Sequence, residues 1–141
     1  MEAVVDIRNL TRQNGFPAVI KKAIVRALKL CGARGDVEVS VTLAGNARMR
    51  ALNKKWRKKD EATDVLSFGL WEAEGAKRRG EIVICIPVAQ KQARELGISV
   101  ARNLAILAAH GATHLAGIDH ERSEKEHRLT MHIQDRVLNI V

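Results

Sequence analysis

The sequence predicts a single α+β domain over residues 1–141, with a small mixed β-sheet packed against helices. Three observations predict it. Apolar residues alternate with period two over Asp36–Leu43, the pattern of a half-buried strand. They recur with helical period over Phe16–Leu30 and Asn46–Arg57. The two patterns follow one another as strand, helix, strand, helix, then strands, then helices, which is not strict β-α-β alternation. A length of 141 residues makes one ordinary domain, and 46% hydrophobic content fills a core without staples.

Ala3–Asn9 is expected as a short strand with Val5 and Ile7 apolar. In Phe16–Leu30, Val19, Ile20, Ala23, Ile24, Ala27, Leu28 and Leu30 build one broad apolar helix face. Asn14-Gly15 supplies a turn before it, Pro17 suits its first turn, and Gly32 stops it. Asn46–Arg57 is expected to turn Met49, Leu52 and Trp56 inward and its basic residues outward. Lys58–Thr63 is polar loop, Asp64–Phe68 a short strand, and Glu72–Gly80 a charged turn region. Glu81–Ile86 is a near-continuous apolar run, as in a central strand. Pro87 opens a helix that runs to Leu96 and stops at Gly97. Ser99 caps a helix from Val100 to Ala116, stopped at Gly117, and Glu121–Leu138 forms the last helix.

Composition narrows the function. The chain carries 24 Lys+Arg against 16 Asp+Glu, a net charge of +8. Within residues 8–59 there are 14 basic and two acidic side chains, so the excess is clustered. A clustered basic excess suits a polyanion, and equally a solvated surface without a partner. Aromatics make up 3%: Phe16, Trp56, Phe68 and Trp71. The core must therefore be aliphatic, and stacking platforms for single-stranded nucleic acid are nearly absent. No stretch reaches 18 consecutive apolar residues, so no membrane span is expected. The N-terminus carries acids where a signal peptide would carry positive charge. Cys31 and Cys85 form no Cys-x-x-Cys pair and read as buried thiols in a reducing cytoplasm, with a disulfide left open.

All five histidines lie in the last 32 residues. His110 and His114, four apart on an expected helix, share one face one turn apart. Gly117 can take a left-handed turn and return the chain, so that His120 reaches the same ion. Three imidazoles with a fourth position for water make a catalytic zinc arrangement. Zinc is the default metal for imidazole, with nickel, cobalt and copper not excluded by ligand type. Three ordinary core or surface histidines would be the bland reading, and the shared face and the glycine weigh against it. The H-x3-H-x5-H spacing is metzincin-like, but Gly111 stands where a zincin carries its general-base glutamate. Peptide hydrolysis is disfavoured on that ground. His127 and His132, five apart, share no helical face and read as surface or structural.

Beyond spacing, His110–His120 resembles the H-G-x-x-H-L-x-G-x-D-H signature of the YbeY family of endoribonucleases. A second stretch agrees: Leu52-Asn53-Lys54-Lys55-Trp56-Arg57, Asp60 and Thr63-Asp64-Val65-Leu66-Ser67-Phe68 resemble that family's L-N-x-x-x-R-x-x-D-x-x-T-D-V-L-S-F. Gly80-Glu81-Ile82-Val83-Ile84 resembles its G-D/E-I-x-I strand. Thr113, Ile118 and Gly69 depart from the family pattern, and none of them is a ligand.

The resemblance implies a zinc hydrolase with one Zn2+ per chain, held by His110, His114 and His120. It implies single-strand-specific cleavage of RNA, with roles in 3′-end maturation of 16S ribosomal RNA and in ribosome quality control. The partners would be single-stranded ribosomal RNA and the ribosome, in the cytoplasm. Arg57 matches the family's functional arginine, and a planar guanidinium suits the charge that builds on a phosphoryl group. Lys54, Lys55, Lys58 and Lys59 are expected to hold the RNA backbone along the same helix. Asp119 would orient a ligand imidazole or simply serve the turn, and both readings stay open. Thr63 and Ser67 are expected as loop and strand residues rather than nucleophiles. Two rivals remain: a zinc-containing assembly factor that binds RNA without cutting it, and a metal-dependent hydrolase of another substrate.

Overall fold

A computed structural model describes residues 1–70, 78–117 and 123–139. Its four strands are β1 (Glu2–Asn9), β2 (Asp36–Ala44), β3 (Val65–Leu70) and β4 (Arg78–Cys85). Its helices are α1 (Pro17–Leu30), α2 (Asn46–Arg57), α3 (Ile86–Leu96), α4 (Val100–Leu115) and α5 (Glu124–Leu138). The sheet order is β1-β2-β4-β3, so β1 and β3 are edge strands. β1–β2 and β2–β4 run parallel and β3–β4 antiparallel. This is the mixed sheet of the expected α+β class.

Local sequence sets the helix boundaries. The Asn14 side chain accepts a bond from the Phe16 amide at 2.9 Å, and Phe16 itself sits left-handed at φ 47°. The helix therefore begins one residue later than expected, at Pro17, whose ring suits a first turn. Ser99 caps α4 by accepting from the Arg102 amide at 3.1 Å. Past the end of α4, Gly117 takes φ 91°, a conformation that favours glycine. Ile118–Arg122, including the expected start of the last helix at Glu121, lie outside the described residues; α5 itself begins at Glu124, capped by Ser123. β4 starts at Arg78, inside the stretch expected to be a turn, because Arg78 and Arg79 pair with β2 at Val37 and Glu38.

Strand alternation gives the sheet two unlike faces. Val37, Val39, Val41 and Leu43 of β2 and Ile82 and Ile84 of β4 point to one face and pack with α1, α4 and α5. Ala44, Val83, Cys85 and Leu66 point to the other, where Met49 of α2 joins a smaller cluster. The largest fully buried side chains are aliphatic or Met, as the scarcity of aromatics required.

On the first face helix and sheet come close. A Cβ at Gly80 would lie 2.7 Å from Leu115 Cδ1, and one at Gly69 would lie 2.8 Å from Leu115 Cδ2. These two residues are cross-strand partners, so the missing side chains make a slot that Leu115 fills. The departure from the family pattern at Gly69 thus has a packing reason. A polar chain then ties α4 to the sheet. Buried Asn103 donates to Ala89 O at 2.8 Å and to Gln92 Oε1 at 3.2 Å, and Gln92 donates to Asp64 Oδ2 at 3.0 Å. With its donors so matched, the buried amide avoids a desolvation penalty of about 1–3 kcal/mol.

Candidate active site

α4 carries His110 and His114 on one face, the first half-buried and the second exposed. Each ring nitrogen Nδ1 has a neighbour. Ser67 Oγ of β3 lies 2.6 Å from His114 Nδ1, and the Gln134 side-chain amide of α5 lies 3.2 Å from His110 Nδ1. A neutral imidazole that binds a metal through Nε2 keeps its proton on Nδ1 and donates it to an acceptor. The Ser67 hydroxyl is such an acceptor. The Gln134 amide is one too when its carbonyl oxygen faces the ring, a half-turn from the orientation with the NH2 inward. For the two histidines described, the donor type and its backing suit a zinc ion. Among the described residues no group of three His, Cys, Asp or Glu side chains gathers, and His120 lies outside them with Asp119 and Glu121.

The position after the first histidine also has a physical reading. Gly111 is buried against β4, and a Cβ there would sit 3.1 Å from two carbons of Ile82. A glutamate at this point would crowd the core, so the peptidase base has no room. Thr113, another departure from the family pattern, is buried and donates to Ala109 O at 2.7 Å.

The basic helix α2 lies on the opposite face of the sheet from α4. Arg57 is its last residue and is exposed, as are Lys54, Lys55, Lys58 and Lys59. The helix C-terminus favours these cations whatever else they do. Arg50 Nε donates to Asp60 Oδ1 at 2.7 Å and Nη2 to Oδ2 at 3.2 Å, with Lys54 Nζ 4.0 Å from the same carboxylate. The Arg50 hydrogen bond holds the Asp60 carboxyl below its usual range. The side-chain amide of buried Asn53 donates to Glu61 O at 2.8 Å, and its main-chain carbonyl accepts from Lys59 N. Several residues of the second motif thus shape the loop from α2 to β3. Asp64 does so as well, accepting from the Val65 amide at 2.7 Å.

Trp56 corrects the sequence expectation. It is 58% exposed rather than inward. On α2 the line that buries itself is Met49 and Asn53; Leu52 and Trp56 form the next line, which borders an open groove. Two contacts of the histidines were not expected either. Ser67 reads from sequence as an ordinary strand residue, and only the pairing of β3 beside α4 brings it to His114. Gln134 has no local signal at all, since nothing near it in the chain tells which helix α5 will face. Cys31 and Cys85 are free thiols, which settles the open disulfide, and burial raises both above the usual thiol range.

Fold and site together give a one-domain α+β protein with an imidazole pair on a sheet-packed helix and a basic helix on the opposite face of the sheet. The family model described as Endoribonuclease YbeY matches residues 6–141. The Endoribonuclease YbeY of Sulfurihydrogenibium is 42% identical over 74% of this chain and 70% of its own. That of Persephonella marina is 39% identical over 84% of this chain and 78% of its own. The solution structure of the Thermotoga maritima protein TM1509 superposes with a TM-score of 0.64 at 27% identity, covering 96% of this chain and 87% of that one. The chain belongs to the endoribonuclease YbeY family, whose members are hydrolases acting on RNA. No helix among the described residues is long and apolar enough to cross a membrane.

Proposed function

We propose that this chain is a zinc-dependent endoribonuclease that cuts single-stranded RNA. Its substrate is ribosomal RNA, in the 3′-end maturation of 16S rRNA and in ribosome quality control, and it works on the ribosome in the cytoplasm. The observation that carries the reading is the His110–His114 pair of α4, each Nδ1 backed by a polar partner, in a chain of this family.

His110, His114 and His120 would hold one zinc ion. Bound there, zinc supplies a Lewis acid that lowers the pKa of water at the site. Ser67 and Gln134 keep the first two rings oriented. Arg57 meets the charge that develops on the scissile phosphoryl group, and Lys54, Lys55, Lys58 and Lys59 hold the flanking backbone. Gly111 leaves no carboxylate beside the ligands, so this chain brings no general base at the zincin position.

Metal analysis of wild type and His120→Ala, run beside cleavage of single-stranded and duplex ribosomal RNA, tests the reading. One zinc per wild-type chain, its loss in the variant, and cleavage restricted to single strands are expected. A 5′-phosphate product indicates attack by water; a 2′,3′-cyclic phosphate indicates attack by the ribose hydroxyl. Full cleavage by a nuclease-free His114→Ala preparation would sink the proposal. RNA binding without cleavage in either form would favour the assembly-factor reading.

A further inference from the structure

The sheet face that carries α2 holds a groove of about 910 Å³, lined by Trp56 and Leu52 of α2, Phe68 of β3, Arg48, Arg79 and Glu81. That size lies within the range of sites that enclose small organic ligands. Its most unusual feature is Trp56, one of two tryptophans in the chain and 58% exposed. Phe68 supports the indole from the side, with ring centroids 5.9 Å apart and planes at 57°. Lys55 Nζ sits 5.0 Å from the indole centroid, over the ring. An exposed, braced aromatic ring with an ammonium at its face is the arrangement that single-strand binders use to stack a base and hold its phosphate. The surrounding charge agrees. Seven basic residues fall within Arg48–Lys59. Within the groove itself Arg48 and Arg79 are matched by Glu38 and Glu81, with a Glu38 oxygen 3.4 Å from Arg79 Nε, so the excess lies along the rest of α2.

The groove and the histidines are two sides of one strand. Ser67 and Phe68 are neighbours on β3 and point to opposite faces. Ser67 touches His114, while Phe68 lines the groove and braces Trp56. β3 is an edge strand, so a nucleotide chain can pass around it from one face to the other.

We propose that this groove is a nucleobase subsite, in which one unpaired base of the RNA stacks on Trp56 and displaces the Lys55 ammonium onto the adjoining phosphate. Arg48 holds the next phosphate, and the strand continues past Arg57 and over β3 toward His114. The proposal rests on RNA being the substrate and adds where the strand is gripped away from the cut.

Its test uses the full chain with Trp71→Phe, so that Trp56 is the sole indole, and follows fluorescence within seconds of mixing with oligo(rA) of eight nucleotides. Quenching of the indole is expected. Trp56→Ala in the unmodified chain should bind the same oligonucleotide about tenfold more weakly or worse, the size of one base–aromatic stack. It should bind inorganic polyphosphate within about twofold of wild type, because polyphosphate has no base to stack. Trp56→Leu, which keeps an apolar side chain but removes the aromatic face, should lose the oligonucleotide affinity as the alanine variant does, and it answers the question if the alanine variant folds poorly. Unchanged oligonucleotide affinity in Trp56→Ala, or an equal loss on polyphosphate, overturns the subsite. So does a concentration-dependent dimer that Trp56→Ala abolishes, which would assign the groove to a second copy. If wild type cleaves RNA and both variants keep wild-type KM, the subsite fails and the nuclease reading stands. If wild type neither binds nor cuts RNA, both fail.

Discussion

The two faces of the sheet differ in how they spend their side chains. On the α4 face the elements approach until glycines are required: Leu115 occupies the space left by Gly69 and Gly80, and Gly111 rides on Ile82. On the α2 face the helix touches the sheet through a small cluster around Met49 and then leaves a groove beside Trp56. The first face is built for rigidity and holds the histidines in place. The second is open, basic and solvated, as a surface for a charged polymer must be. One edge strand, β3, serves both, with Ser67 on one side and Phe68 on the other. A hydrolase of a long substrate needs this division, because positioning ligands and admitting a strand make opposite demands on packing.

The sharpest way to break the contrast is to place a glutamate where the zincins have theirs. Gly111→Glu puts a charge against Ile82 with no partner, and should destabilise the fold by about 3–5 kcal/mol. Gly111→Ala crowds the same carbons by a single methyl. Overpacking costs about 1–3 kcal/mol, offset by up to about 1 kcal/mol of helix propensity. Urea denaturation of the two variants measures the difference. Equal stability of the two would show that the α4 face is not closed.

The second way asks whether the faces cooperate. Arg57 belongs to the open face, yet the proposed function has it serve the phosphoryl group cut at the closed one. Arg57→Ala should lower turnover by roughly a hundredfold or more, the usual scale for one transition-state donor. Lys55→Ala should change kcat little, weaken RNA binding a few-fold and reduce the salt slope by about one. Steady-state cleavage at two salt concentrations separates them. Equal losses of turnover would leave Arg57 as one more phosphate anchor.

Much of this contrast is legible in the sequence, and what is hidden has a common cause. Alternation in Asp36–Leu43 and the helical stripe of Phe16–Leu30 depend on near neighbours, so β2 and α1 are read almost to their ends. The His110–His114 spacing is likewise local, as is the bond from Ser99 that starts α4. Trp56 is misread because helical spacing puts it on the same broad side of the helix as Met49 and cannot show that the cluster around Met49 ends short of it. The strand beginning at Arg78 is missed because two arginines and a glycine carry no strand pattern of their own; pairing with β2 makes them a strand. Gln134 and Ser67 are hidden for the same reason, since their partners are 24 and 47 residues away.

Ser67 gives the smallest and most discriminating test of the division. As a strand residue it should tolerate alanine, since the side chain is small, half-buried and adds little to the core. As the acceptor for His114 Nδ1–H it fixes which nitrogen of the ring faces a metal. Loss of such a partner costs about tenfold to a hundredfold in metal affinity. Ser67→Ala should therefore keep its urea midpoint and release zinc at lower chelator concentration than wild type. Ser67→Thr, which retains the hydroxyl and suits a strand, should restore most of the affinity. The oligonucleotide quench at Trp56 should not change in either variant, because it reads the other side of β3. Loss of zinc affinity and base stacking together would mean that β3 moves as a unit and that the faces are not independent. Unchanged zinc affinity would leave the 2.6 Å contact with His114 as packing alone.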